Sequence, residues 1–186
     1  MKRVCDVIAA ALLLLLLSPL LFVIGIVTKL TSRGPALYWS IRIGKNNALF
    51  RMPKFRTMYV NTPEVPTHLL TNSSDFVTPW GSFLRKYSLD EVPQLWSILK
   101  GDMTFVGPRP ALYNQHDLIA LRTEAGVHTL PPGLTGWAQI NGRDELPIPV
   151  KVEFDKYYMR KRSLAFDFQI LRKTAVKAIK SVGVSH

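Results

Sequence analysis

Residues Leu12–Ile26 read LLLLLLSPLLFVIGI. They sit inside a run from Val7 to Val27 that carries no charge. A run of that length can span the hydrocarbon core of a bilayer as a helix. An export signal fits poorly: the apolar run exceeds a usual signal core, and the following TKLTSRG (Thr28–Gly34) has no small-x-small cleavage site. Basic residues flank both ends, Lys2 and Arg3 before, Lys29 and Arg33 after. A crossing segment concentrates such charge on one side. Symmetric flanks suit a segment whose two ends return to the same face. Pro19 cannot donate to the Leu15 carbonyl, and its ring crowds that carbonyl, so a kink is expected. The Ser18 hydroxyl can turn back to the Leu14 carbonyl, which also bends helices in lipid. The sequence therefore predicts a re-entrant helix–break–helix at Ser18-Pro19, dipping into one leaflet. Asp6, just inside the start, needs a partner; Lys2 and Arg3 are the nearest cations.

The other composition signals are consistent with work at a membrane surface. The 186 residues suit one domain plus an appendage, or two small domains. Twenty-four Lys and Arg against thirteen Asp and Glu give a net charge of +11. Such a balance implies an anionic partner: nucleic acid, phospholipid headgroups or a phosphorylated substrate. A single cysteine, Cys5, excludes an intrachain disulfide and fits a reducing compartment.

After Lys29 the chain reads as a mixed soluble sequence of α+β class. Arg33–Met58 has strand character around the turn Lys45-Asn46-Asn47, which predicts a β-hairpin. Asn61–Thr78 is rich in Pro, Thr, Asn and Ser and reads as a loop. Thr78–Lys86 reads as a short helix. Val92, Leu95, Trp96 and Leu99 mark an amphipathic helix stopped by Gly101. Tyr113–Thr123 is a further helix, and PPGLTGWAQINGR (Pro131–Arg143) is loop and turn. Val150–Tyr158 and Phe166–Val182 are helices. The last sets Arg172, Lys173, Lys177 and Lys180 beside Phe168, Leu171, Ala175 and Ile179, a pattern for an ordinary solvated face or an anionic membrane surface.

No glycine-rich nucleotide loop, cysteine cluster or metal-spaced histidine pair is present. The densest chemistry lies in FLRKYSLDEVPQLWSILKGDMTFVGPRP (Phe83–Pro110). Asp90 and Glu91 stand where the amphipathic helix begins. One reading is structural: Ser88-x-x-Glu91 has capping-box spacing, and Asp90 could itself be the cap. The other is chemical. Arg85 and Lys86 precede the pair, and Arg109 is held between Pro108 and Pro110, whose rings restrict its backbone. A carboxylate pair, a helix start and a clamped arginine suit a Mg²⁺-diphosphate site. A carboxylate can also attack phosphorus.

KFRTM (Lys54–Met58), SLDEVPQLWSILKGDM (Ser88–Met103), FVGPRP (Phe105–Pro110), PGLTGWAQINGR (Pro132–Arg143) and FDFQIL (Phe166–Leu171) resemble, in this order, the bacterial sugar transferase family of polyprenyl-phosphate phosphoglycosyl transferases. The Ser-Pro of the apolar helix belongs to the same resemblance, and the length is similar to the small, single-domain members. The resemblance implies a monotopic enzyme of the bacterial inner membrane. Residues 1–30 would form the re-entrant helix and 31–186 a compact, mainly helical cytoplasmic domain with membrane-surface helices. It implies transfer of a sugar 1-phosphate from a UDP-sugar to undecaprenyl phosphate, with release of UMP, in bacterial glycan assembly. Asp90 would be the nucleophile that carries the phosphosugar. Glu91, with Asp90, would hold Mg²⁺. Arg109 and Arg85 would bind phosphate, with Lys54, Arg56, Gln139, Asn141 and Arg143 as further substrate contacts. The expected partners are these two substrates, an anionic phospholipid membrane, later-pathway glycosyltransferases and a second copy of the chain, with no nucleic acid. MYVNTPEVPTHLL (Met58–Leu70) departs from the more acidic stretch of many relatives, which points to a role in sugar choice.

Overall fold

The structure, a computed structural model, describes residues 2–62, 73–142 and 146–180. Arg143 and most of the Met58–Leu70 departure lie outside these residues. The apolar run is part of one helix, α1 (Lys2–Thr31). The expected break is not there: the helix runs on through Ser18-Pro19. Pro19 has no N–H to give the Leu15 carbonyl, and Ser18 Oγ donates to that same carbonyl at 2.8 Å. The serine thus satisfies the acceptor that the proline orphans, and Leu15 takes the place of the expected Leu14.

Both ends of α1 are docked on the rest of the chain. Near the start, Thr104 Oγ1 donates to Asp6 Oδ2 at 2.5 Å. Thr104 is therefore the partner of Asp6, and the two nearby cations have other tasks. Lys2 Nζ donates to Asp167 Oδ2, the Val106 carbonyl and Tyr158 Oη at 2.6, 2.8 and 3.0 Å. Arg3 donates to the carbonyls of Ile98 and Leu99 at 2.5 and 2.9 Å, which closes the end of α3 (Leu95–Lys100). Ala10 is buried in a core with Met52, Leu95, Ile98 and Met103. Near the other end, Ile24 is buried with Phe55 and Leu84, and Trp80 Nε1 donates to Thr28 Oγ1 at 3.1 Å. Between the two docking points most leucines face outward, Leu15 and Leu16 each 74% exposed, while Leu14 and Leu21 pack against the two cores.

The predicted hairpin is present. β1 (Leu37–Ile43) pairs antiparallel with β2 (Leu49–Phe55), Leu37 opposite Phe55 and Ile43 opposite Leu49. Its turn places Asn46 and Asn47 at φ 55 and 60, a region that asparagine tolerates better than most residues. α2 (Pro79–Lys86) begins where expected, because Thr78 Oγ1 accepts from Gly81 N at 2.9 Å.

The next helix differs from expectation. Leu89–Gln94 is a 3₁₀ segment, and α3 starts only at Leu95. Pro93 has no N–H for an α-type bond back to Leu89. Trp96, expected on the apolar face, is 52% exposed. Gly101, at φ 104, ends the helix as predicted.

The stretch read as loop and turn holds a short strand and a one-turn helix. β4 (Gly133–Thr135) pairs parallel with β3 (Thr104–Val106), and α5 (Trp137–Ile140) follows. Glycines make this pairing fit. A Cβ on Gly133 would strike Gly107 N, and one on Gly136 would strike Gly107 O. The FVGPRP and PGLTGW motifs therefore pack backbone to backbone. α4 (His116–Glu124), α6 (Ile148–Lys161) and α7 (Leu164–Lys180) complete the fold. On α7, Ile170 is buried, whereas Phe168 is 71% exposed beside the exposed Arg172 and Lys173.

Candidate active site

The 3₁₀ segment sets Asp90 and Glu91 against the end of β2. Ser88, just before it, lies at φ 55, ψ 23, the left-handed region, and its side chain caps nothing. The capping-box reading therefore fails. A non-glycine residue in this conformation costs of order 1 kcal/mol or more, and the chain accepts it one residue before Leu89-Asp90.

The two carboxylates have different surroundings. Glu91 Oε1 receives Lys54 Nζ at 3.0 Å and Arg109 Nη2 at 3.0 Å. Asp90, only 8% exposed, has no hydrogen bond or ion pair among the described residues. Lys54, Arg85 and Arg109 all lie within its electrostatic reach. Burial pushes the Asp90 carboxyl up, Glu91 adds to this, and the three cations offset only part. Burial acts upward on Glu91 too, but there Arg109 and Lys54 outweigh it and hold the carboxyl well below the usual range. Burial pulls Lys54 and Arg85 down from their usual values. Arg85 Nε donates to Thr57 Oγ1 at 2.9 Å, which fixes the stem beside the dyad. One carboxylate is thus clamped and ionised, and its neighbour is unbonded in a cationic nest.

Arg109 reaches this nest from a segment held at its carbonyls. Gly133 N donates to the Pro108 carbonyl and Ile43 N to the Ala111 carbonyl, each at 2.9 Å.

Of the residues singled out from sequence, Asp90, Glu91, Lys54, Arg85 and Arg109 converge. The rest do not. Arg56 Nη2 donates to the Ser32 carbonyl and to Ser32 Oγ at 2.8 and 2.7 Å, anchoring the exit of α1. Gln139 Nε2 donates to the Leu134 carbonyl and Asn141 Nδ2 to the Trp137 carbonyl. These bonds are internal to the β4–α5 turn. Sequence reading missed Arg42, Arg122 and Asp155, which hold or adjoin the Arg109 segment. Single charges scattered over β1, α4 and α6 left no spacing signal for them.

An apolar helix long enough to cross a membrane and a cationic nest around a buried carboxylate are the two features that the fold sets beside each other. The sequence profile described as bacterial sugar transferase matches residues 1–181. The chain belongs to the bacterial sugar transferase family. Among its relatives are an undecaprenyl-phosphate glucose phosphotransferase of Komagataeibacter xylinus, 40% identical over 97% of this chain and 36% of the relative, and a UDP-glucose:undecaprenyl-phosphate glucose-1-phosphate transferase of Escherichia coli, 39% identical over 95% and 40%. The chain spans about two-fifths of the length of these curated relatives. It covers 83% of the exopolysaccharide production protein ExoY of Rhizobium meliloti, at 38% identity over 93% of this chain.

Proposed function

We propose that this chain transfers a sugar 1-phosphate from a UDP-sugar to undecaprenyl phosphate, through a phosphosugar carried on Asp90. The observation that carries the reading is the contrast within the dyad: Glu91 is clamped by Lys54 and Arg109, while Asp90 is buried, unbonded and ringed by cations. In the first step an Asp90 oxygen attacks the phosphorus that bears the sugar. Its bond to the bridging oxygen breaks, and UMP leaves with that electron pair. In the second step an oxygen of undecaprenyl phosphate attacks the same phosphorus and Asp90 departs as carboxylate. Two displacements replace one direct exchange between bulky anions. Arg109 and Arg85 stabilise the charge of the transferred phosphoryl.

Mg²⁺ fits the donor set in one form only. No group of three His, Cys, Asp or Glu able to cage a metal occurs among the described residues. Two adjacent carboxylates with substrate phosphate oxygens match the way Mg²⁺ is commonly held, and Glu91 stays ionised for it. Bound there, the ion would neutralise charge on the diphosphate. The test of the activity is UMP release with undecaprenyl phosphate and, in turn, UDP-glucose, UDP-galactose and UDP-N-acetylgalactosamine. Release with at least one donor is expected; none with any UDP-sugar would remove the proposal.

The same reading keeps α1, an unbroken helix, in one leaflet. Its two flanks, at the buried Ala10 and Ile24, rest on one body, and its exposed apolar face runs from Val4 to Leu30. The exposed leucines then dip into one leaflet, and the domain stays cytoplasmic on the inner membrane. The basic α7 with its exposed Phe168 lies on anionic headgroups. In sealed vesicles, the native Cys5, and a cysteine at Arg33 in a Cys5→Ser background, should react with an impermeant maleimide from the same side. Labelling from opposite sides would show a crossing.

A further inference from the structure

The segment that delivers Arg109 is held more tightly than its two prolines require. Four successive carbonyls accept hydrogen bonds. Two are the backbone bonds to Pro108 and Ala111 described above. The Arg109 carbonyl accepts from Arg122 Nη1 at 2.7 Å, and the Pro110 carbonyl from Arg42 Nη1 at 3.2 Å. Arg122 reaches over from α4 and is itself gripped. Its Nε and Nη2 both meet Asp155 Oδ2 on α6, at 2.9 and 2.6 Å. This is the most buried ion pair of the chain among the described residues, with the side chains 9% and 3% exposed.

A buried pair of this kind is a poor stabiliser, since desolvation consumes much of the attraction. Burial pushes the Asp155 carboxyl up, and Arg122 offsets this only in part. An apolar pair could join α4 to α6 at least as well. What an apolar pair cannot supply is a rigid fork that spends one edge on Asp155 and one N–H on a backbone carbonyl. Proline rings fix φ at positions 108 and 110 and restrict ψ at Arg109, which leaves φ of Arg109 to set how the Arg109–Pro110 peptide plane is turned. The bond from Arg122 fixes that plane, and with it the direction in which the Arg109 side chain leaves the backbone toward Glu91. Misplacing a binding group by about 1 Å can cost on the order of 10²-fold in rate.

We infer that Arg122, oriented by Asp155, is a positioning residue that aims Arg109 through its backbone carbonyl. The inference rests on the reading of Arg109 as the phosphate grip. It assigns the Arg122–Asp155 pair a task in substrate binding, although neither side chain touches the dyad.

The test is UDP affinity, measured by calorimetry on the full chain in detergent, because UDP carries the donor's diphosphate and binds without turnover. Arg122→Met/Asp155→Leu removes the pair without leaving a buried charge. It is expected to melt near the wild type and to bind UDP about tenfold more weakly, the scale of one charge-assisted hydrogen bond. Arg109→Met is expected to weaken UDP at least as much. The triple variant should bind no more weakly than Arg109→Met alone, since aiming matters only while Arg109 is there to aim. Factors that multiply in the triple variant, or wild-type affinity in Arg122→Met/Asp155→Leu beside a weakened Arg109→Met, would overturn the inference. Wild-type affinity in Arg109→Met would instead remove the reading of Arg109, and the inference with it. Should the apolar pair misfold, Arg122→Lys keeps the charge opposite Asp155 but cannot fork. It should then show the same non-additivity with Arg109→Met.

Discussion

Asp90→Asn abolishes covalent capture of the phosphosugar and lowers turnover by at least about 10³-fold, the scale of losing a nucleophile. The same variant is as stable as the wild type or more so at neutral pH. The sign follows from the raised folded-state pKa of Asp90. An unfolded chain releases this proton near pH 3.8, whereas the folded protein keeps it to higher pH. Stability therefore falls as pH rises through that window, and the cost is fully present above the folded value. Asparagine carries no such cost. Melting curves should place the variant at or above the wild type at neutral pH and bring the two together below pH 3.8. A variant with no activity and a clearly lowered melting temperature at neutral pH would show that Asp90 serves the fold. The ionised carboxylate is the attacking form, so the first half-reaction should lose rate on acidification sooner than an ordinary aspartate would require.

Glu91→Gln has the opposite sign on stability. Glu91 is held well below the usual carboxylate range by Arg109 and Lys54 against its burial. It contributes stability above about pH 4.5, which is lost as pH falls through the lower folded value. The amide still accepts hydrogen bonds, yet it leaves two cations facing a neutral group. We expect a loss of ~2 kcal/mol at neutral pH, below the ~3–5 kcal/mol of full partner removal. Turnover should drop on the order of 10²-fold, as Arg109 loses its fixed direction. Denaturant titrations at neutral pH and near pH 3 check the sign, since the deficit should shrink in acid. Adjacent carboxylates with opposite effects on stability would be hard to explain if both were helix caps.

Much of this was legible in the chain. The apolar run gave α1 its length, and Lys45-Asn46-Asn47 marked the hairpin. The dyad stood out because two carboxylates, a proline and a Pro-Arg-Pro segment lie close in sequence. The continuity of α1 was not foreseen, because the acceptor chosen by Ser18 decides it. A serine that reaches Leu15 repairs the proline's defect, and one that reached Leu14 would not. The link from Lys54 to Glu91 spans 37 positions, so it depends on how β2 packs on the 3₁₀ segment and leaves no local pattern. Three-residue strands are too short to show alternation, which hid β3 and β4. For the same reason Pro131–Arg143 read as loop and turn. In the structure its glycines serve close backbone packing, and Gln139 and Asn141 bond within their own turn.

The exposed leucines, the basic α7 and the cationic nest belong to one picture. Under the proposed placement, a polyprenyl acceptor would keep its phosphate at the bilayer surface, and a domain held there by both ends of α1 would bring Asp90 to that depth. Arg56 has a place in this picture, although it is not at the dyad. By holding Ser32 it fixes the end of α1, where the helix would leave the membrane under the proposed placement.

The central claim is the covalent step on Asp90, and UMP release from a UDP-sugar with no polyprenyl phosphate present tests it most directly. The account predicts a burst of UMP that approaches the enzyme concentration, with the phosphosugar bound to the protein and absent from Asp90→Asn. UMP that appears only after undecaprenyl phosphate is added, with no sugar retained on the protein, would contradict it.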